Sequence, residues 1–220
     1  VGDVNVVFDL DGTLIDSAPD IHGAANRLLA DEGLPAMTLP QVRAMIGRGV
    51  PWLMQQLLAA SGQPADPARA ARLAARFVDG YEDAVSLTGP YPGVERALLA
   101  LQDAGHRLAI CTNKPMAATE AVLRHLGLRS YFAAIIAGDS LPVRKPDPAP
   151  LRAAVAALGG GAAVYVGDHE VDAETAAAAG VPFLLFTEGY RAGPVAAVSP
   201  QAFADWAALP GVVARMEGSG

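Results

Sequence analysis

Short apolar, β-branched runs recur along this chain with helix-forming stretches between them, at 4–8, 107–111, 134–137, 163–166, 183–186 and 196–198. Strands separated by helices rather than by tight turns pair in parallel and carry helices on both faces of their sheet. The expected fold is therefore α/β, a doubly wound, Rossmann-like parallel sheet. In such a sheet the carboxyl ends of the strands line the ligand crevice. The first run is followed by Asp9, the second by Thr112 and the fourth by Gly167-Asp168. Polar residues far apart in sequence should thus converge on one edge.

Roughly a hundred residues separate the first two runs, far more than one crossover helix needs. They read as helices at 18–32, 39–45, 50–60 and 67–85, punctuated by Gly33-Leu34-Pro35 and Ser61-Gly62-Gln63-Pro64. Asp66 before Pro67 has the form of an N-cap followed by proline at the first helical position. The expected organisation is an inserted α-helical cap domain over 15–88 and a core made of 1–14 and 89–216. Pro90-Tyr91-Pro92-Gly93 marks the return to the core, and 217–220 form a tail or an expression scar. The alanines at 176–179 read as a closely packed helix, ended by Gly180 and Pro182.

Hydrophobic residues make up 52% of the chain and charged ones 18%, which fits a globular core and not a disordered chain. The net charge is −7 and no basic run occurs, so nucleic acid is not an expected partner. An anionic substrate would have to be drawn in by a local cation, and the chain has only two lysines, Lys114 and Lys145. No apolar run approaches the ~18 residues that span a bilayer, and no basic start with a small-residue cleavage site is seen. The expectation is a cytoplasmic protein without membrane contact, monomeric or homodimeric. Cys111, within Leu108-Ala109-Ile110-Cys111, reads as a buried strand thiol in a reducing compartment.

Four constellations carry chemistry. In Asp9-Leu10-Asp11-Gly12-Thr13-Leu14 two acids close a strand, and the glycine lets the chain turn so that both can face one cation. In Cys111-Thr112-Asn113-Lys114-Pro115 a hydroxyl and an amide can donate to a phosphoryl oxygen, although a threonine here can equally cap the next helix. In Arg144-Lys145-Pro146-Asp147-Pro148 the prolines fix a loop bearing a point charge. In Gly167-Asp168-His169-Glu170-Val171-Asp172 two acids are spaced by one helical turn. Asp168 can ligate a metal, Asp172 can orient Lys145 or a metal-bound water, and Glu170 reads as solvated surface. His22, His106 and His125 read as surface or packing residues, and His169 stands apart because it follows Asp168.

These motifs, in this order and each after a strand, resemble the haloacid dehalogenase superfamily over nearly the whole chain, with the insertion resembling its first class of helical cap. The resemblance implies a phosphatase using Mg²⁺. Asp9 and Asp168 would be carboxylate ligands, and Asp11 would ligate through its backbone carbonyl. Asp9 would be the nucleophile that forms an aspartyl phosphate, and Asp11 the acid and base. Thr112, Asn113 and Lys145 would bind the phosphoryl group, Lys145 also serving catalysis, with Asp172 supporting them. Asp16-Ser17-Ala18-Pro19-Asp20, Ile46-Gly47-Arg48-Gly49 and Thr112-Asn113-Lys114-Pro115 resemble the phosphoglycolate phosphatases of that superfamily. They point to 2-phosphoglycolate as the small phosphorylated metabolite, with pyrophosphate, sugar phosphates and nucleotides as alternatives. Arg48 is the candidate for the non-phosphate end of the substrate, a solvated arginine being the other reading. A β-phosphoglucomutase-like phosphomutase is the competing activity, but its relatives commonly use a cap lysine, and 15–88 contain none. The same absence counts against a phosphonate hydrolase, and the presence of Asp11 counts against a dehalogenase.

Overall fold

The computed structural model describes residues 4–81, 84–199 and 201–217. Strand β1 (Asn5–Phe8) and the short β2 (Ile15–Asp16) lead into four helices, α1 (Ala18–Asp31), α2 (Leu39–Arg43), α3 (Val50–Ala60) and α4 (Pro67–Tyr81). The chain returns through β3 (Gly89–Pro90) and continues as α5 (Val94–Asp103), β4 (Leu108–Cys111), α6 (Met116–His125), β5 (Ala134–Ile136), α7 (Ala149–Ala157) and β6 (Ala163–Gly167). It ends with α8 (Glu170–Ala179), β7 (Phe183–Phe186), α9 (Val195–Val198), β8 (Ala202–Phe203) and α10 (Leu209–Glu217).

Six of these strands form one sheet in the order β5-β4-β1-β6-β7-β8, every pair parallel. The order reverses on either side of β1, so the crevice of a doubly wound sheet falls where β1, β4 and β6 end. Side chains alternate across β1: Val6 and Phe8 pack with Leu98, Leu101, Trp206 and Val213, whereas Val7 packs with Leu151, Ala154 and Tyr165 on the other face. Both faces are buried, which is why the strands read as unbroken apolar runs.

The helices α1 to α4 share a separate cluster that includes Leu28, Met54, Leu57, Leu73 and Phe77. In α4 the buried residues Ala70, Leu73, Ala74, Phe77 and Tyr81 recur at three- and four-residue intervals, one face of a helix. Asp66 caps it, Oδ1 accepting from the Arg69 amide at 2.9 Å. The entry and exit of this helical insertion are paired, β2 lying antiparallel to β3 with Asp16 opposite Gly89.

Some expected elements differ. Residues 196–198 are not a strand but part of the helical turn α9, and the sixth strand is β8, beside β7. A short apolar run has no period that distinguishes the two, and Pro194 supplies a fixed φ of −67° ahead of the turn. The second helix stops at Arg43, and Ala84 and Val85 are not helical, with 82–83 outside the described residues. Glu217 closes α10, and the rest of the expected tail, 218–220, lies outside the described residues. No described helix is long and apolar enough to cross a membrane.

Candidate active site

Asp9 leaves the end of β1 with its amide bonded to the Val166 carbonyl of β6 at 2.9 Å, so its side chain starts from the middle of the sheet. The chain then turns tightly, the amides of Thr13, Leu14 and Ile15 all reaching the Leu10 carbonyl. Gly12 makes the turn possible. Its φ is +88°, and a β-carbon there would stand 2.5 Å from Asp168 Oδ2.

Lys145 approaches from the loop after β5, following which the Lys145–Pro146 peptide is cis. Its buried ammonium lies 2.9 Å from Asp9 Oδ1 and donates to Asp172 Oδ1 at 2.7 Å and to the Tyr165 hydroxyl at 2.8 Å. That hydroxyl also sits 2.9 Å from the Cys111 carbonyl and from Asp172 Oδ1. Burial works against the lysine's charge, but Asp172 and Asp9 hold its pKa above the ordinary value, so the ammonium stays charged. Cys111 is buried as expected, and burial pushes its thiol up to about 12.

Asp168 and Asp172 follow β6. Asp168 accepts from the Thr13 hydroxyl and the Tyr190 amide, each at 2.6 Å. Asp172 lies in the first turn of α8 and accepts from the amides of Asp168 and His169 at 3.2 and 3.1 Å, reaching back to the start of its own helix. Gly167 is needed for this fold-back, since a β-carbon there would meet Asp172 at 2.5 Å.

One atom from each of Asp9, Asp168 and Asp172 fits within a span of 4.8 Å. Lys145 pairs with two of these three buried carboxylates, Asp9 and Asp172, and Asp168 has no ion-pair partner among the described residues. Burial, opposed by Lys145 and helped by Asp172, raises Asp9 to about 7. Burial together with Asp172 and Asp9 raises Asp168 well above the carboxylate range. The cluster is short of positive charge and rich in hard oxygen donors, and Asp9 Oδ1 makes no well-oriented hydrogen bond despite its nearness to Lys145. These residues fit a divalent cation such as Mg²⁺.

Thr112 follows β4 and is buried, its oxygen accepting from the Lys114 amide at 3.2 Å, which leaves the hydroxyl proton available. Asn113 lines the same cavity, but its side chain is engaged with backbone. The amide donates to the carbonyls of Gly47 and Lys145, and the oxygen accepts from the Lys145 amide, all at 3.0 Å. Asp11 accepts from the Ser17 hydroxyl at 2.6 Å and pairs with Lys114 Nζ at 3.0 Å.

Asp9, Asp11, Thr112, Asn113, Lys145, Asp168 and Asp172 are thus brought together at one sheet edge. Arg48 is not. It turns away toward Glu174, 3.6 Å off, stacks over Trp52 and does not line the cavity. Glu170, expected to be solvated, instead accepts from the amides of Ala192 and Gly193 and holds the loop after β7. His169 is the N-cap of α8, Nδ1 accepting from the Val171 amide at 3.2 Å, and its ring packs against Gly47.

Sequence reasoning did not place Lys114, Tyr81 or Tyr190 in the site. Lys114 carried a signal, being one of two lysines and adjacent to Asn113. Tyr81 reads only as the apolar face of α4. Tyr190, in a loop, bonds the Ser17 and Ala18 amides and donates to Asp16, which ties the loop after β7 to the start of the helical insertion.

The cavity in front of Asp9 is narrow, about 40 Å³, against the ~300–1,000 Å³ of pockets for drug-sized ligands. Its wall from the helical insertion is apolar, including Ile21, Met45, Val50, Leu53 and Phe77.

A family model described as haloacid dehalogenase-like hydrolase matches residues 5–180. A phosphoglycolate phosphatase of Cereibacter sphaeroides is 56% identical over 191 residues, 86% of this chain and 88% of the relative. One of Rhodobacter capsulatus is 44% identical over 209 residues, covering 94% and 95%. The crystal structure of a predicted phosphoglycolate phosphatase from Haemophilus somnus superimposes with a TM-score of 0.87 at 29% identity, covering 96% of this chain and 98% of that one.

Proposed function

The chain belongs to the haloacid dehalogenase-like hydrolases and is a phosphatase, and we propose that its substrate is 2-phosphoglycolate, hydrolysed through a phosphoryl group carried on Asp9. The observation that carries this reading is the buried ion group of Asp9, Lys145, Asp168 and Asp172, whose Asp9 faces a cavity also lined by Asp11, Thr112 and Lys114. The names of relatives 56% and 44% identical support the choice of ester.

Asp9 attacks phosphorus in line with the leaving oxygen, forming the acyl phosphate. Lys145 lowers the repulsion between the incoming carboxylate and the phosphate, and Thr112 donates to an equatorial oxygen as charge spreads. Asp11 protonates the leaving glycolate oxygen and then takes a proton from the water that cleaves the acyl phosphate. Asp172 acts by holding Lys145, and Asn113 by fixing the backbone of the same loop. Asp9, Asp168 and the Asp11 carbonyl would hold Mg²⁺, which when bound supplies charge neutralisation at the transferring phosphoryl group. Residues 15–88 act as a cap that excludes bulk water over the acyl phosphate.

Initial rates on a panel containing 2-phosphoglycolate, pyrophosphate, a hexose phosphate and a nucleoside monophosphate, with Mg²⁺ and with chelator, test the proposal. The expected result is the highest kcat/KM for 2-phosphoglycolate and loss of activity in chelator. A higher kcat/KM for any other member overturns the choice of substrate. Appearance of an isomerised sugar phosphate instead of inorganic phosphate overturns hydrolysis itself.

A further inference from the structure

Among the described residues, Lys114 is the only cation lining the cavity. Of the other cations nearby, Lys145 is committed to Asp9 and Asp172, Arg48 to Glu174, and Arg43 to the Gly189 carbonyl and the Tyr190 ring, while Arg144 stands beside Gly49 outside the cavity lining. The wall opposite is apolar and comes from an insertion that has no lysine. A carboxylate entering this space without a partner would be strongly disfavoured, because burying an unpaired charge is costly.

The geometry of Lys114 suits exchange between partners. Its buried ammonium spans Asp11 Oδ1 and Oδ2 at 3.0 and 3.3 Å, donates to the Tyr81 hydroxyl and lies over the Tyr81 ring, 4.4 Å from its centroid. Tyr81 belongs to the helical insertion and Asp11 to the core, so the ammonium stands at the seam between them. Asp11 keeps a second donor, Ser17, and is not stranded if Lys114 moves.

Resting on the reading of the substrate as 2-phosphoglycolate, we propose that Lys114 determines specificity by taking the substrate carboxylate. With the phosphoryl group against Asp9 and Thr112, the carboxylate replaces Asp11 as the ionic partner of Nζ, while Tyr81 keeps its hydrogen bond. Asp11 is thereby released toward the leaving oxygen. An ester without an anionic end leaves Lys114 on Asp11, so discrimination falls on kcat as well as on KM. A core residue thus supplies the charge that the insertion's described residues do not place on the cavity.

The test compares kcat/KM for 2-phosphoglycolate and ethyl phosphate, which has the same carbon count and no carboxylate, in the wild type, Lys114→Met and Lys114→Arg. Wild type is expected to favour 2-phosphoglycolate by 100-fold or more. Lys114→Met should lose at least 50-fold on 2-phosphoglycolate and less than fivefold on ethyl phosphate, and Lys114→Arg should regain part of the preference. Inhibition by inorganic phosphate should stay within threefold in each variant, since the phosphoryl site is untouched. If Lys114→Met does not fold, Lys114→Gln reads the same ratio. Equal losses on both esters overturn the proposal alone, because Lys114 would then act only through Asp11. A wild type that does not favour 2-phosphoglycolate overturns the substrate reading and this proposal together.

Discussion

Lys145 Nζ lies 2.9 Å from Asp9 Oδ1, and the same ammonium is 2.7 Å from Asp172, all three groups being buried. It is the ion-pair partner of both acids among the described residues. Lys145→Met should lower turnover by about 10²–10³-fold, the usual scale for removing one group that stabilises a charged transition state. It should also cost about 3–5 kcal/mol of stability, because it strands buried carboxylates. Phosphate release and chemical denaturation measure the two effects, and a fully active, undiminished variant would remove Lys145 from the mechanism.

Asp9→Asn separates chemistry from folding. The amide cannot attack phosphorus, so turnover should fall by at least ~10³-fold and no phosphorylated protein should accumulate on rapid quenching. The substitution also removes one charge from a cluster with three acids and one ammonium. The variant should melt no lower than the wild type at pH 8 in chelator. A variant that retains phosphoenzyme would move the nucleophile elsewhere.

Asp9 titrates near 7 in the fold against an ordinary 3.8, through burial, with Lys145 opposing and Asp172 reinforcing. A group that binds its proton more tightly when folded contributes stability fully below its unfolded value and loses it as pH rises through the folded one. In chelator, the melting temperature should therefore decline between about pH 4 and pH 7 on account of Asp9. Mg²⁺ should raise it by several degrees at pH 8, where the carboxylate is ionised, and by little at pH 5. Equal Mg²⁺ shifts at the two pH values would falsify this account of the cluster.

His169→Ala should change turnover less than tenfold. The imidazole caps α8 through the Val171 amide and packs on Gly47, outside the group of acids. Its removal should cost about 1 kcal/mol, as for other caps. Steady-state kinetics would contradict this if the loss matched that of Asp9→Asn.

The sheet and the acid-bearing loops were legible because their chemistry sits directly after apolar runs. Asp9, Thr112 and Asp168 are placed by strand ends, and a parallel sheet gathers strand ends on one edge. Lys145 is marked by being one of two lysines, set in a proline-bounded loop, and its role is legible only through the resemblance of that loop to the superfamily's motif. What could not be read is the direction of long side chains from loops and helices. Arg48 and Lys114 both stand beside conformationally special residues, yet one turns out to Glu174 and the other in to Asp11, a choice made by tertiary neighbours. Tyr81 follows Phe77 on the apolar stripe of α4, where its hydroxyl leaves no mark in the periodicity. The strand β8 has two residues, too few to show a period.

Asn113 has a wider consequence than its place beside Thr112. One side chain joins the Gly47 carbonyl of the helical insertion to both the amide and the carbonyl of Lys145. Docking of the insertion and placement of the Lys145 loop thereby depend on the same side chain. By linkage, a ligand that gains affinity when the insertion docks must favour docking by the same factor. Substrate binding and assembly of the site are reciprocal to the extent that binding depends on the contact between Gly47 and Asn113.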